Sequence, residues 1–278
     1  TDGTEVQIAP IDVQYQSAPL LKRMLTNFAG PMNNFILGIA VFIAIAFVQG
    51  GVTVNESRLG EIQPDSPAEA AGLRENDEVL AVNGDATADW TELVTSIQAN
   101  PGNQITLTVV TDGEEARDVL VTPDTKTDEQ GNEYGLIGVA VPMNRTLMAK
   151  ISYGFKEFWV IATSIFGLVF AMFRTGFQAD SFGGPVAIYA ATEQVVDYGF
   201  LSVLSFLAYL SINLGVVNLL PIPALDGGKL LLNLVEGIRG KPLDPEKEGI
   251  ITAIGMGLLL LLMVIVTWND IQRFFFGQ

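Results

Sequence analysis

The sequence predicts a multi-span α-helical membrane protein with an inserted extracytoplasmic α+β domain. Of the 278 residues, 49% are hydrophobic and only 17% are charged, and several apolar runs approach the roughly 20 residues that a bilayer requires. Residues 55–145 hold 18 acidic and 5 basic residues, so most of the net charge of −16 lies in one stretch between apolar flanks. That stretch breaks into short alternating segments and turns, as expected for a small soluble domain.

The composition also excludes several kinds of site. The chain has no cysteine, which rules out disulfides and thiolate metal ligands within it. It has no histidine, which removes the commonest zinc ligand and the commonest general base. A net charge of −16 argues against nucleic-acid binding, because the phosphate backbone attracts basic surfaces.

The first transmembrane helix is predicted at residues 28–50, a long apolar run. Residues 1–27, which begin with alternating polar and apolar side chains, are predicted as a membrane-edge β-like segment. Lys22 and Arg23 precede the apolar run, and the next basic residue is Arg58. The positive-inside tendency therefore places the N-terminal end of this helix in the cytoplasm and the acidic stretch outside.

Residues 51–124 predict a small domain of short strands and helices. Ser66 can cap a short helix with Pro67 at its first position. Trp90–Ala99 has the apolar spacing of a helix. The order of elements resembles a PDZ domain of the bacterial protease-associated type. The matching residues are Gly60-Glu-Ile-Gln-Pro-Asp-Ser-Pro-Ala68, Ala71-Gly-Leu73, Asn76-Asp77 and Val82-Asn-Gly84.

The resemblance to PDZ domains implies a groove that binds peptide ends by adding a strand to an exposed sheet edge. The candidate edge residues are Leu59, Gly60 and Ile62, with the helix Trp90–Ala99 on the other side of the groove. A domain that only spaces two membrane parts is the alternative. Residues 125–149 are predicted as a linker.

The apolar segment at residues 150–174 has two possible placements, because it carries Lys156, Glu157 and Arg174. It could cross the bilayer or lie at its surface. Further transmembrane helices are predicted at residues 201–228 and 250–268, joined by a basic loop at 229–249 that belongs in the cytoplasm. Crossing by 150–174 would place that loop outside. The charge pattern therefore favours three spans plus an interfacial or re-entrant amphipathic helix.

Asp226 is the most informative single residue. It ends a long apolar segment, where a charged group costs several kcal/mol unless a cation, a metal or water compensates it. Pro221 and Pro223 prevent a regular helix from continuing, and Gly227 and Gly228 permit a turn behind the carboxylate. A metal ligand is the sharper interpretation, and a helix-terminal carboxylate solvated from the cytoplasm is the alternative.

Two motifs together resemble the site-2 protease family of intramembrane zinc metalloproteases, in the bacterial regulator-of-sigma-factor form with a single PDZ domain. One is Gly-Pro-x-x-Asn-Phe at residues 30–35, and the other is Asn-Leu-x-x-x-Asn-Leu-x-Pro-x-Pro-x-Leu-Asp-Gly-Gly at residues 213–228. The segments Gly183-Gly-Pro-Val-Ala-Ile188 and Val266-Thr-Trp-Asn-Asp270 also resemble the family, the second its Gram-positive branch.

The resemblance implies a zinc cofactor held by a His-Glu-x-x-His motif, with Asp226 as the third ligand. This sequence contains no such motif and no catalytic residue of that type, so the chain is expected to be the C-terminal portion of the enzyme and inactive alone. The motif is expected in a helix upstream. The residues expected to bind substrate are Gly30, Pro31, Asn34, Asn213, Asn218, Pro221 and Pro223.

The implied activity is cleavage of single-span membrane proteins, such as anti-sigma factors and remnant signal peptides, within the bilayer. The implied location is the bacterial plasma membrane, with the PDZ domain outside the cytoplasm and no nucleic-acid partner. A non-catalytic membrane adaptor that holds peptides with its PDZ domain, or an inactive protease fragment, is the alternative.

Overall fold

The computed structural model describes residues 17–128, 130–176, 183–241 and 243–276. The chain divides into two compact units: one contains residues 46–150, and the other combines the flanking residues 1–45 and 151–278. We call the first the PDZ-like domain and the second the helical unit. Residues 1–16, the greater part of the predicted β-like segment, lie outside the described residues.

The helical unit is built from long apolar helices. Four helices in the described part of the chain are long and apolar enough to cross a membrane. The multi-span α-helical part of the predicted fold class is therefore confirmed. The helices of this unit are α1 (Leu20–Val48), α4 (Leu147–Thr175), α5 (Pro185–Asp197), α6 (Phe200–Leu219), α7 (Asp226–Arg239) and α8 (Pro245–Phe276). The last residues of α1 and the first residues of α4 belong to the PDZ-like domain. The membrane candidates are α1, α4, α6 and α8.

The core of the helical unit lies where α1, α4 and α6 meet. Phe35 of α1 packs edge-on against Phe158 of α4, with ring centroids 5.0 Å apart. Gly38 of α1 lies so close to α6 that a Cβ at this position would come within 2.5 Å of Ile212 Cγ1. Small residues at such positions allow close helix packing, which is how helices associate within a bilayer.

Helix α4 packs along α1 through successive contacts. Besides the pair of Phe35 and Phe158, Phe42 meets Tyr153 with ring centroids 6.1 Å apart, also edge-on. The partner in α4 moves backwards along the chain as the residue in α1 moves forwards, so the two helices run antiparallel over this length. Placement of residues 150–174 at the membrane surface stays a prediction.

Two of the predicted boundaries in the helical unit are wrong. Residues 20–27 are helical and open α1, because the chain before the apolar run already forms helical hydrogen bonds from Pro19 onwards. The predicted helix at 201–228 is not continuous: α6 ends at Leu219, and Asp226 opens the separate helix α7. Most of the predicted loop at 229–249 is therefore also helical, since α7 continues to Arg239.

The PDZ-like domain contains a four-stranded antiparallel sheet and two short strand pairs. The sheet order is β3-β2-β4-β5, and the pairs are β1-β8 and β6-β7. Its elements are β1 (Val52–Thr53), α2 (Pro67–Ala70), β2 (Glu78–Val82), β3 (Asp85–Ala86), α3 (Trp90–Gln98), β4 (Ile105–Val110), β5 (Arg117–Val121), β6 (Asp124–Thr127), β7 (Glu133–Leu136) and β8 (Met143–Asn144).

Local signals in the sequence account for both helices of this domain. The Ser66 hydroxyl accepts a hydrogen bond from the Glu69 N–H at 3.3 Å, and Pro67 opens α2 as predicted. The Asp89 carboxylate accepts from the Glu92 N–H at 2.9 Å and caps α3. Each cap satisfies a backbone donor that the first helical turn leaves without a partner.

The prediction of a linker at residues 125–149 is wrong. This segment forms β6, β7 and β8, and Ile137 is 1% exposed within the core that contains Leu59, Leu93 and Leu107. The polar composition of 124–133 concealed the buried residues that follow. The β1-β8 pair joins Val52 to Asn144, so the two ends of the domain lie side by side.

Candidate functional site

The candidate site is centred on the turn between α6 and α7. Pro221 and Pro223 carry no backbone N–H, so α6 cannot continue through them, and it ends at Leu219. Ala224 has a left-handed backbone (φ +83°), which is strained for a residue with a Cβ and costs on the order of 1–3 kcal/mol. Such strain is concentrated at functional sites, and sequence reasoning had not singled out Ala224.

Two glycines behind Asp226 fix this turn against the end of α6. A Cβ on Gly227 would clash with the carbonyl oxygen of Leu219, and one on Gly228 would clash with the carbonyl oxygen of Ile222. Both residues are buried and helical, so the requirement here is space and not unusual backbone angles. The close approach holds the half-buried Asp226 at the first position of α7, immediately after the loop that joins α6 to α7.

Helix α8 closes the other side of the turn. A Cβ on Gly255 would clash with the backbone of Pro223, so α8 and the turn are in direct contact. No pattern in the sequence marked Gly255, because it stands inside an apolar helix next to several other small residues. Only the contact across the fold identifies it as part of the site.

The two motifs that carry the family resemblance meet at Asp226. A Cβ built on Gly30 of α1 would lie 3.1 Å from Asp226 Oδ2. The neighbouring Pro31 is fully buried, and its carbonyl oxygen would lie 3.1 Å from a Cβ on Gly215 of α6. The structure therefore brings the 30–35 and 213–228 segments together.

The other predicted substrate residues, Asn34, Asn213 and Asn218, lie on α1 and α6, and their role stays a prediction. The carbonyl oxygen of Asn34 accepts a hydrogen bond from the Ser211 hydroxyl at 3.0 Å, so this part of α1 is tied to α6. Asn213 and Asn218 are half-buried on α6. They lie five positions apart and therefore do not share one face of the helix.

A polar cluster joins the far end of α7 to the beginning of α1. Arg23 donates to both carboxylate oxygens of Glu236, at 2.5 and 3.1 Å, and to Asn233 Oδ1 at 3.4 Å. Its Nε also donates to the Ala18 carbonyl oxygen at 3.2 Å. We call Arg23, Asn233 and Glu236 the α1–α7 clamp. No local pattern indicates this clamp, because Arg23 stands 213 positions before Glu236.

The residues described here do not form a zinc site by themselves. Across residues 17–128, 130–176, 183–241 and 243–276, no group of three or more histidine, cysteine, aspartate or glutamate residues is placed to hold a metal ion. Asp226 offers one carboxylate, and structural or catalytic zinc needs at least three protein ligands. Any metal at this turn would need ligands from beyond the described residues.

The second candidate site is the peptide-binding edge predicted in the PDZ-like domain at Leu59, Gly60 and Ile62. That prediction is wrong. Leu59 is fully buried in the core. The Gly60 N–H donates to the Ala140 carbonyl oxygen at 3.1 Å, and Ile62 pairs with Val139. The chain's own residues 138–140 therefore occupy this edge, and they belong to the segment for which the sequence predicts a linker.

A small apolar pocket of about 50 Å³ lies elsewhere in the domain, between α3 and residues 135–139. The side facing it from α3 includes Trp90, Val94 and Ile97, and the opposite side includes Ile137 and Val139. The helix Trp90–Ala99 therefore does border a pocket, but the strand opposite it is not the one predicted.

Comparison with known proteins places the chain in a family. The family model "Peptidase family M50" matches residues 3–262. The chain is 49% identical over 277 residues to "Probable protease eep" of Enterococcus faecalis and 44% identical over 274 residues to "Zinc metalloprotease RasP" of Geobacillus kaustophilus. Each comparison covers 99% of this chain, but only 65% and 64% of the respective relative. The chain thus spans somewhat less than two thirds of the length of these relatives.

Among solved structures, the chain is similar to PDZ domains of SdrC-like proteins from Listeria monocytogenes and Listeria innocua. The identities are 19% and 18%, and the TM-score is 0.27 in both cases. Each comparison covers 32% of this chain, and 90% and 97% of the respective Listeria domain. The match of the family model over nearly the whole chain, together with the convergence of the two motifs at Asp226, shows that this protein belongs to peptidase family M50, the site-2 proteases.

Proposed function

We propose that this chain supplies the substrate-guiding turn and one metal ligand, Asp226, of an intramembrane zinc metalloendopeptidase. The observation that carries the proposal is the approach of Gly30 to the Asp226 carboxylate across two separate motifs. A carboxylate held rigidly by Gly227 and Gly228 at the end of an apolar helix suits a ligand, because the position of a ligand must be reproducible. The remaining ligands would come from outside the described residues.

The turn also suits the binding of an extended substrate. A transmembrane substrate keeps its backbone hydrogen bonds inside its own helix, so a segment must unwind before its peptide bond is accessible. The unwound strand then needs new hydrogen-bond partners. The turn at residues 220–225 is not helical, and two of its members are prolines, so it can offer backbone groups to such a strand. Single-span membrane proteins, including anti-sigma factors and remnant signal peptides, are the proposed substrates.

The proposed location is the plasma membrane of a bacterium, with Asp226 towards the cytoplasmic side. The basic residues Lys22 and Arg23 stand at the beginning of α1, and Arg239 and Lys241 stand at the end of α7. The positive-inside tendency places both groups in the cytoplasm. The PDZ-like domain would then lie outside the cytoplasm.

The test of the metal-ligand role uses the full-length protein. Asp226→Asn keeps the size of the side chain but removes its charge, and we expect loss of bound zinc and of cleavage of a single-span model substrate. Asp197→Asn makes the same change at an exposed position at the end of α5 and should leave both unchanged. Full cleavage by Asp226→Asn would refute the proposal. Absence of cleavage and of zinc in the unmodified full-length protein would favour the membrane adaptor instead.

We further propose that the PDZ-like domain excludes substrates whose external domains are intact. Because Val52 pairs with Asn144, a short linker can replace residues 53–143 without stretching the chain. The shortened full-length protein should cleave substrates that the unmodified protein rejects. Unchanged discrimination would support a domain that acts only as a spacer. A deletion ending at residue 124 is unsuitable, because it would leave the core residue Ile137 exposed.

A further inference from the structure

The α1–α7 clamp lies on the helix that carries Asp226, but at its opposite end. Helix α7 begins at Asp226 and continues to Arg239, and its buried residues are Gly227, Gly228 and Asn233. At the Asp226 end the two glycines press against the end of α6. At the far end Asn233 and Glu236 bind Arg23 of α1. The helix is thus held at two places.

The two places fix the direction of α7 relative to α1. Gly30 faces Asp226, Arg23 faces Glu236, and Leu20 lies 3.0 Å from a Cβ built on Gly237, so the two helices run antiparallel. With a rise of about 1.5 Å per residue, the clamp lies ~15 Å along α7 from Asp226. A helix held only at its glycine end could tilt about that contact, which would also reorient the first turn that carries Asp226, and the clamp removes that freedom.

The ion pair between Arg23 and Glu236 is suited to fixing the relative orientation of α1 and α7. The side chains of Arg23 and Glu236 are only 12% and 16% exposed, so water competes weakly for either charge. A planar guanidinium that binds both oxygens of a carboxylate fixes orientation as well as distance, which a lysine ammonium does not. Beside the clamp, Leu21, Met24 and Leu25 of α1 and Leu230 and Leu234 of α7 line an open apolar cavity. These side chains are therefore not tightly packed between the two helices at this end, and the ion pair is the directional contact there.

We propose that Arg23 and Glu236 are positioning residues: their bidentate pair sets the direction of α7 and thereby holds the Asp226 carboxylate against Gly30. This inference rests on the proposed function of Asp226. It predicts that breaking the pair displaces Asp226 without unfolding the protein, because α1 and α6 remain packed through Gly38 and Ile212.

The experiment measures the geometry and the reaction separately in the full-length protein. Spin labels at Ala29→Cys and Lys229→Cys, both exposed positions near Asp226, report the distance between α1 and α7. This sequence has no cysteine, and any cysteine elsewhere in the full-length protein is first replaced by serine. We expect a narrow distance distribution with the intact clamp, and a broad or shifted one in Arg23→Gln and Arg23→Lys. The exchange Arg23→Glu with Glu236→Arg should narrow it again, and Lys22→Gln should have no effect.

In unlabelled protein, Arg23→Gln and Arg23→Lys should lower kcat by roughly 10- to 100-fold, as expected for misplacement of a reacting group by up to about 1 Å. KM should change little, and the exchanged pair should recover activity. An unchanged label distance in Arg23→Gln would overturn the inference, as would equal loss of activity in the exchanged pair. If the distance changes but the unmodified protein shows no cleavage, the proposed function fails while the role of the clamp stands.

Discussion

Replacement of Gly30 by alanine tests the geometry at Asp226 most directly. The new Cβ would lie 3.1 Å from Asp226 Oδ2, and ordinary van der Waals contacts of this kind begin at 3.4 Å. The carboxylate must therefore move by ~0.3 Å or more. Since misplacement by about 1 Å costs roughly 10²-fold in rate, we expect kcat to fall about 3- to 10-fold. Valine, which adds two further methyl groups, should cost more than about 10²-fold.

The same replacement should change stability little. Alanine favours a helix by about 1 kcal/mol over glycine, but Gly30 precedes Pro31, whose ring disfavours a Cβ on a preceding helical residue. The two effects oppose each other, so the net change in unfolding free energy should stay within about 1 kcal/mol. A loss of activity therefore could not be assigned to unfolding.

The assay is cleavage of a single-span substrate by the full-length protein in liposomes, with thermal unfolding measured on the same samples. Gly257→Ala is the matched control, because Gly257 lies inside α8 and a Cβ there would meet no atom within 4 Å. The control should raise stability by about 1 kcal/mol and leave kcat unchanged. Undiminished activity of both Gly30→Ala and Gly30→Val would refute the reasoning.

Three further predictions concern the rest of the chain. Ile137→Ala should destabilise the PDZ-like domain by about 2–5 kcal/mol in chemical denaturation, since Ile137 is 1% exposed; a linker residue would cost almost nothing. The Asn132 side-chain amide, followed by backbone N–H groups, lowers the pKa of the Asp128 carboxyl below its ordinary value of 3.8. This stabilisation of the 128–132 turn is present above the unfolded pKa and lost as the pH falls through the folded one; NMR titration of Asn132→Ala should show the Asp128 pKa closer to 3.8. Finally, an impermeant reagent applied outside intact cells should label a cysteine at Asp112 but not one at Lys241, and labelling of both would contradict the proposed topology.

Much of this protein follows from local patterns in its sequence. Apolar runs of roughly 20 residues predict the membrane helices, because every backbone polar group in a bilayer must be satisfied within its own segment. Ser66 and Pro67 predict the start of α2, since capping involves residues three positions apart. The sequence indicates that Asp226 is a functional residue, because the charge of a carboxylate after an apolar run must be compensated by a cation, a metal or water. Each of these inferences depends only on residues that are close to one another in the sequence.

Tertiary structure decided what depends on distant contacts. The pairing of Ile62 with Val139 shows that residues 125–149 are part of the PDZ-like domain and not a linker. No local periodicity in the sequence could indicate which segment pairs with Ile62. Asp226 begins α7 because glycines 227 and 228 fit beneath carbonyl groups at the end of α6. The clamp between Arg23 and Glu236 depends on how α7 folds back along α1. Periodicity determines which faces are apolar, but the shape of the packed chain determines which polar groups meet.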